Sequence, residues 1–173
     1  MKGGVDLNNI EIERKYVIMK PDVELMKKLA DYTVSEIEQV YLTSAPRITH
    51  RVRSRTFTDK TVYTETKKVR IDSISSYEDE AEISENEFLT LKKNIRPDTQ
   101  PVLKVRHTFR FCDQLFEVDV YPQWKSTAIM ETELSDAQTI VRMPDFIEIV
   151  REVTGDKNYS NASMSRTFPK ELV

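Results

Sequence analysis

Glycine is almost missing from this chain. Of 173 residues, only Gly3, Gly4 and Gly155 are glycine. Phosphate-cradling loops of the P-loop and Rossmann kinds need several glycines at fixed offsets, because backbone N–H groups must approach the phosphate closely. Neither can be built here, so any phosphate must be held by side chains. Cysteine is as scarce: Cys112 stands alone, which excludes an intramolecular disulfide. With only His50 and His107 there is no Cys/His set at metal spacing and no serine–histidine arrangement near a nucleophile elbow. Both histidines read as surface or packing residues, and Cys112 as structural. No hydrophobic run is long enough to span a bilayer, and Met1 to Asn9 holds no apolar signal core. The expectation is a soluble, cytoplasmic protein with no membrane partner. A net charge of −3, from 26 Lys and Arg against 29 Asp and Glu, argues against a polybasic nucleic-acid binder.

What the chain does have is strand pattern. Over Ile10 to Met19, residues Ile10, Ile12, Tyr16 and Ile18 share one side while Glu11, Glu13 and Lys15 share the other. Further extended segments follow over 39–42, 48–57, 61–71, 79–83, 102–111, 115–121 and 128–134. A hairpin is predicted between Phe109 and Phe116, turning at Asp113 and Gln114. Helices are fewer. One is predicted from Pro21 to Tyr32, with Leu25, Met26 and Leu29 on one side. Ser84 and Glu87 match a capping box that opens a short second helix. A third is predicted from Pro144 to Thr154, where Phe146, Ile147, Val150 and Val153 recur at helical spacing before Gly155. No linker or repeat interrupts the pattern. The reading is a flexible tail over residues 1–9 and a single α+β domain over 10–173, dominated by an antiparallel sheet or barrel.

The polar side of each strand is sorted by sign. In order it carries Glu11-x-Glu13-x-Lys15, Arg51-x-Arg53, Thr66-x-Lys68, Glu80-x-Glu82, Lys104-x-Arg106, Glu117-x-Asp119 and Glu131-x-Glu133. A spacing of two puts both members of a couplet on one face. One such couplet reads as the solvated face of an antiparallel sheet. Seven in one short domain admit a second reading, a closed sheet whose charged face turns inward around a polar channel. Two carboxylates 4 Å apart repel by roughly 4 kcal/mol at an effective dielectric near 20, so such an interior calls for an occupant. Divalent cations such as Mg²⁺ or Mn²⁺ suit the carboxylates, and a phosphate chain suits the cations. Arg55, Arg70 and Arg110 share parity with the basic couplets. They extend that wall if they point inward, but their places near strand ends favour solvent.

In their order these couplets resemble the CYTH domain, the triphosphate tunnel metalloenzyme superfamily. Glu11-Ile-Glu13-Arg-Lys15 matches its signature Glu-x-Glu-x-Lys, and Glu152 to Asn161 looks like the tail of bacterial members. The resemblance covers nearly the whole chain, from about Glu11 to Met164. It implies an eight-stranded antiparallel β-barrel tunnel with a charged interior and a few peripheral helices, holding a triphosphate and Mg²⁺ or Mn²⁺. Carried over residue by residue, Lys15, Arg51, Arg53, Lys68, Lys104 and Arg106 bind phosphate, while Glu11, Glu13, Glu131 and Glu133 bind metal. Glu11, Glu13, Glu80, Glu82, Glu117 and Asp119 form the catalytic set of ligands, water-positioning groups and supports. The pattern departs from the family at Glu78, where many members carry an arginine. The activity implied first is metal-dependent hydrolysis of inorganic tripolyphosphate, by a monomer or homodimer. A class IV adenylate cyclase and a thiamine triphosphatase are the alternatives within the family, and a non-catalytic polyphosphate- or nucleotide-binding module is the alternative outside it.

Overall fold

Alternating patterning drives nine segments of the chain into strands, which the computed structural model describes over residues 10–72 and 75–173. For residues 10, 11 and 70 only the backbone is described. The expected tail over residues 1–9 lies outside the described residues. In chain order the strands are β1 (Ile10–Met19), β2 (Ala30–Leu42), β3 (Ile48–Thr56), β4 (Thr61–Arg70), β5 (Ser75–Ile83), β6 (Val102–Phe111), β7 (Gln114–Val120), β8 (Thr127–Glu133) and β9 (Ile149–Glu152). Short helices α1 (Val23–Met26), α2 (Glu85–Lys92) and α3 (Asn161–Met164) interrupt them. The order β5-β4-β3-β2-β6-β7-β8-β1 closes on itself through antiparallel pairing of β1 with β5, giving an eight-stranded barrel.

Strand β1 serves two neighbours along one edge. Its first residues pair with β5 (Ile10 with Tyr77, Glu11 with Ser76, Ile12 with Ser75). Further along it pairs with β9, Tyr16 opposite Glu152 and Val17 opposite Arg151. The other edge pairs with β8 from Glu13 to Met19.

The outer faces of the strands are apolar and covered. Tyr16, Ile18, Phe109, Phe116, Val118, Ala128 and Met130 pack with Met26 of α1, with Met143, Phe146 and Ile147 against them. Val40, Leu42 and Val52 pack with Phe88 of α2. Each fully buried Val, Leu, Ile, Phe or Met among them contributes about 1.5–3 kcal/mol of burial. A third cluster fills one end of the barrel from inside. Val17, Tyr41, Val102, Tyr121 and Ile129 meet Trp124, Val153, Tyr159 and Met164, and the segment that follows β9 lies across that end.

Helix α2 opens with the capping box expected of Ser84 and Glu87. Two helix expectations are corrected. From Pro21 to Tyr32 only Val23–Met26 is helical, and Ala30 already belongs to β2, paired with Arg110. From Pro144 to Thr154 there is no helix: Ile149–Glu152 is β9, captured by the free edge of β1. Gly155 does adopt a positive φ of 75°, but in a turn after a strand. The β6–β7 hairpin turns one residue earlier than expected, at Cys112 and Asp113. Their φ values of 48° and 61° supply the left-handed pair that a two-residue hairpin turn requires.

Candidate active site

Register decides where the charged couplets point, because residues directly opposite on paired strands share a face. Lys15 lies opposite Glu131, Glu131 opposite Glu117 and Arg106 opposite Asp119. Arg51 lies opposite Thr66, and Thr66 opposite Glu80. These chains of partners run round the inside of the barrel and surround a cavity of about 540 Å³. Eleven of the fourteen expected site residues line it: Glu13, Lys15, Arg51, Arg53, Lys68, Glu80, Lys104, Arg106, Glu117, Glu131 and Glu133. The Glu11 side chain lies outside the described residues. Asp119 is fully buried behind the wall, and Glu82 sits on an exposed stretch of β5 outside the cavity.

The cations are held by carboxylates. Lys15 Nζ is 2.8 Å from Glu131 and 3.5 Å from Glu13. Arg106 donates to both oxygens of Asp119, to Glu131 at 3.2 Å, and to Glu117. Lys104 Nζ donates to Asp119 at 2.5 Å. Arg51 donates to Glu78 at 2.8 Å, and Lys68 meets the same carboxylate at 2.8 Å. Arg53 donates to Glu80 at 3.0 Å, and the Thr66 hydroxyl donates to that group at 2.7 Å. Glu78, where the family often has arginine, is thus an inward-facing acceptor for two cations.

Burial and neighbours pull the ionisations apart. Burial alone pushes the Glu131 pKa up, but Lys15, Arg106 and Lys104 outweigh it and hold the group well below the usual carboxylate range. Burial likewise pulls Lys15 down, and Glu131 with Glu13 overcomes it, so Lys15 keeps its proton. Lys104 goes the other way. Burial and the adjacent Arg106 outweigh Asp119 and lower its pKa to about 8. Glu133 is raised, first by burial and then by its carboxylate neighbours Glu117 and Glu78.

Among the described residues, no three of His, Cys, Asp and Glu already converge as a metal centre. The donor chemistry nevertheless fits a hard divalent cation. Glu13 lies directly opposite Glu133, both line the cavity with Glu131, and the burial and carboxylate neighbours that raise the Glu133 pKa disfavour its charge in a way that such a cation relieves.

Several lining residues escape the couplet pattern. Gln39 and Tyr41 stand at spacing two on β2 and donate one to the other, Gln39 Nε2 to Tyr41 Oη at 2.7 Å. Thr154 to Ser163 close one side. The strand pattern signals the first pair, but only three-dimensional contact reveals the second group. Of the three flanking arginines, Arg55 points into the cavity and Arg110 points outward to Asp31. The Arg70 side chain lies outside the described residues. His50 and His107 face outward, His50 onto Glu65 and His107 onto Tyr32.

No family model matches the sequence, and no curated protein does either. Solved structures do. The chain is 27% identical to the inorganic triphosphatase NE1496, covering 92% of this chain and 97% of that one with a TM-score of 0.58. The PH1819 protein from Pyrococcus horikoshii OT3 matches at 18% identity and a TM-score of 0.57, over 73% of this chain and 80% of its own. A putative adenylate cyclase from Vibrio parahaemolyticus matches at 11% identity and a TM-score of 0.51, over 73% and 79%. The last two speak to the fold alone. These likenesses and the closed eight-stranded barrel are consistent with a triphosphate-tunnel, or CYTH, domain. Its charged faces line the lumen of the closed barrel and its greasy faces pack outside it, as the resemblance implies.

Proposed function

We propose that this tunnel domain hydrolyses a terminal phosphoanhydride of a triphosphate, with inorganic tripolyphosphate as substrate and Mg²⁺ or Mn²⁺ as cofactor. The observation that carries this reading is the composition of the cavity wall. Lys15, Arg51, Arg53, Arg55, Lys68, Lys104, Arg106 and Lys157 share it with Glu13, Glu78, Glu80, Glu117, Glu131, Glu133 and Asp156. Eight cations against seven carboxylates leave only one net positive charge. A polyphosphate needs far more than that, and a divalent cation on the carboxylates brings the wall to the required sign. The similarity to an inorganic triphosphatase along nearly the whole chain supports the same activity.

Glu13, Glu131 and Glu133 are the residues that would hold the metal, which supplies Lewis acidity toward phosphoryl oxygens. Arg51, Arg53 and Lys68 on one wall, with Lys15, Lys104 and Arg106 on the other, bind the phosphate oxygens and stabilise charge spread over them during cleavage. Asp119 holds Lys104 and Arg106 in place from behind. Glu80 and Glu117, at the more exposed part of the wall, would orient the attacking water.

The test is to incubate the protein with tripolyphosphate, ATP or thiamine triphosphate and Mg²⁺ or Mn²⁺, and to quantify every product. Phosphate chiefly from tripolyphosphate is the expected outcome. Pyrophosphate with cyclic AMP from ATP would replace this reading by a cyclase, and tight binding without product would replace it by a binding module.

A further inference from the structure

Among the described residues, Arg55 stands apart from the ion pairs that hold most cations of the cavity wall. Arg55 is the last inward residue of β3 before the β3–β4 turn. It has no carboxylate partner among the described residues. Its Nε donates to Ser35 Oγ at 2.9 Å and its Nη2 to Thr108 Oγ1 at 3.2 Å, and both hydroxyl residues are buried. The guanidinium lies 4.9 Å above the Phe57 ring, so its plane is fixed by a stack and two hydrogen bonds while Nη1 is left open. Among the described residues, two further donors nearby lack acceptors. Arg53 Nε and Thr64 Oγ1 are buried without a hydrogen-bond partner, and the two residues lie directly opposite on β3 and β4. A buried donor left unsatisfied is costly, and a row of them points to an acceptor-rich ligand.

We infer that Arg55 is a specificity-determining residue of the proposed triphosphatase site: with Arg53 and Thr64 it receives the free, doubly charged end of an inorganic phosphate chain. This rests on the reading above and deepens it by choosing among substrates. An unsubstituted terminal phosphate offers three oxygens and two negative charges to a cation that no direct ion pair neutralises among the described residues. Tripolyphosphate has two such ends and ATP only one. With the γ-phosphate held at the reacting part of the wall, the other end of ATP is an ester-linked phosphate, which offers Arg55 fewer of both and brings an organic group with it. The Phe57 ring beside it is already covered by the Arg55 guanidinium, with the Lys60 ammonium 5.9 Å from its centroid. The mouth is therefore built for charge and not for a base.

The experiment compares binding of tripolyphosphate and of ATP by calorimetry, each with Mg²⁺, for wild type, Arg55→Ala and Arg55→Gln. The glutamine variant keeps a donor toward Ser35 and Thr108 without the charge, and melting temperatures confirm folding. Tripolyphosphate affinity falls by about tenfold to a hundredfold in both variants, the loss of one charge-assisted contact set, while ATP affinity changes by less than about threefold. Equal losses for both ligands, or no loss for either, overturn the proposal and leave the triphosphatase reading intact. Failure of the wild type to bind tripolyphosphate overturns both.

Discussion

Arg106 grips Asp119 with a two-pronged fork, Nε on Oδ1 at 2.6 Å and Nη2 on Oδ2 at 2.7 Å. Lys104 donates to the same carboxylate, which is fully buried. Two phosphate-binding candidates therefore depend on one anion that no ligand in the cavity can reach first. Replacing Asp119 by Asn leaves buried Lys104 without its hydrogen-bonded counter-charge and Arg106 with only Glu117 and Glu131. We predict a loss of about 3–5 kcal/mol of stability, read as a fall in the urea midpoint. An unchanged midpoint would show that Glu131 and Glu117 carry the pair without it.

Glu13 sits at the cavity surface, and Lys15 keeps Glu131 at 2.8 Å without it. Glu13→Gln should thus spare the fold while lowering Mg²⁺- or Mn²⁺-dependent phosphate release by at least about a hundredfold. Near-normal turnover with an unchanged melting temperature would reject Glu13 as a metal ligand.

Lys104 gives the site a pH limit. Its pKa is lowered to about 8, so above that pH the wall loses one positive charge and KM for tripolyphosphate should rise. The sign for stability is opposite. Between about 8 and the ordinary lysine value of 10.5 the folded chain releases this proton before the unfolded chain does, so this ionisation adds stability as pH rises. Lys104→Arg, which stays charged, should abolish the KM inflection near pH 8. Persistence of the inflection in that variant would assign it elsewhere.

Glu171 ties the last residues to the barrel. Its carboxylate accepts the backbone N–H groups of Lys125, Ser126 and Thr127 at 3.1, 2.5 and 2.7 Å. Desolvation pushes its pKa up, but these bonds outweigh it and bring the value down to about 2. A carboxyl depressed in this way stabilises the fold above its unfolded pKa of about 4.5 and loses that contribution as pH falls toward 2. Glu171→Gln should therefore melt below wild type at pH 7, with the gap closing between pH 5 and 2. A gap independent of pH would exclude the ionised clamp.

The strands and the inward aim of their couplets are legible in the sequence because period two has one physical meaning in a sheet. What is not legible is who pairs with whom. Arg51, Arg53 and Lys68 look like free phosphate ligands until β5 is seen to bring Glu78 and Glu80 against them. Asp119 looks like a catalytic acid until β6 covers it. The failed helix from Pro144 to Thr154 has the same cause. Phe146 and Ile147 join the cluster under α1, whereas Val150 and Val153 join the plug at the barrel end. Helical spacing there reflects two separate docking sites, joined by a strand that the edge of β1 requires. Arg55 and Arg110 have equal parity and lie near the ends of strands, yet only register tells them apart.

The divided edge of β1 also sets the order in which the molecule can be made. Lys15 donates its backbone N–H to Thr154, 139 positions further along the chain, so the opening strand leaves the ribosome long before its second neighbour exists. During synthesis that idle flank must stay clear of other nascent chains, whose bare strands would pair with it readily. Final assembly then waits on joining two stretches that are distant in sequence, which places this protein among slow folders, in milliseconds to seconds.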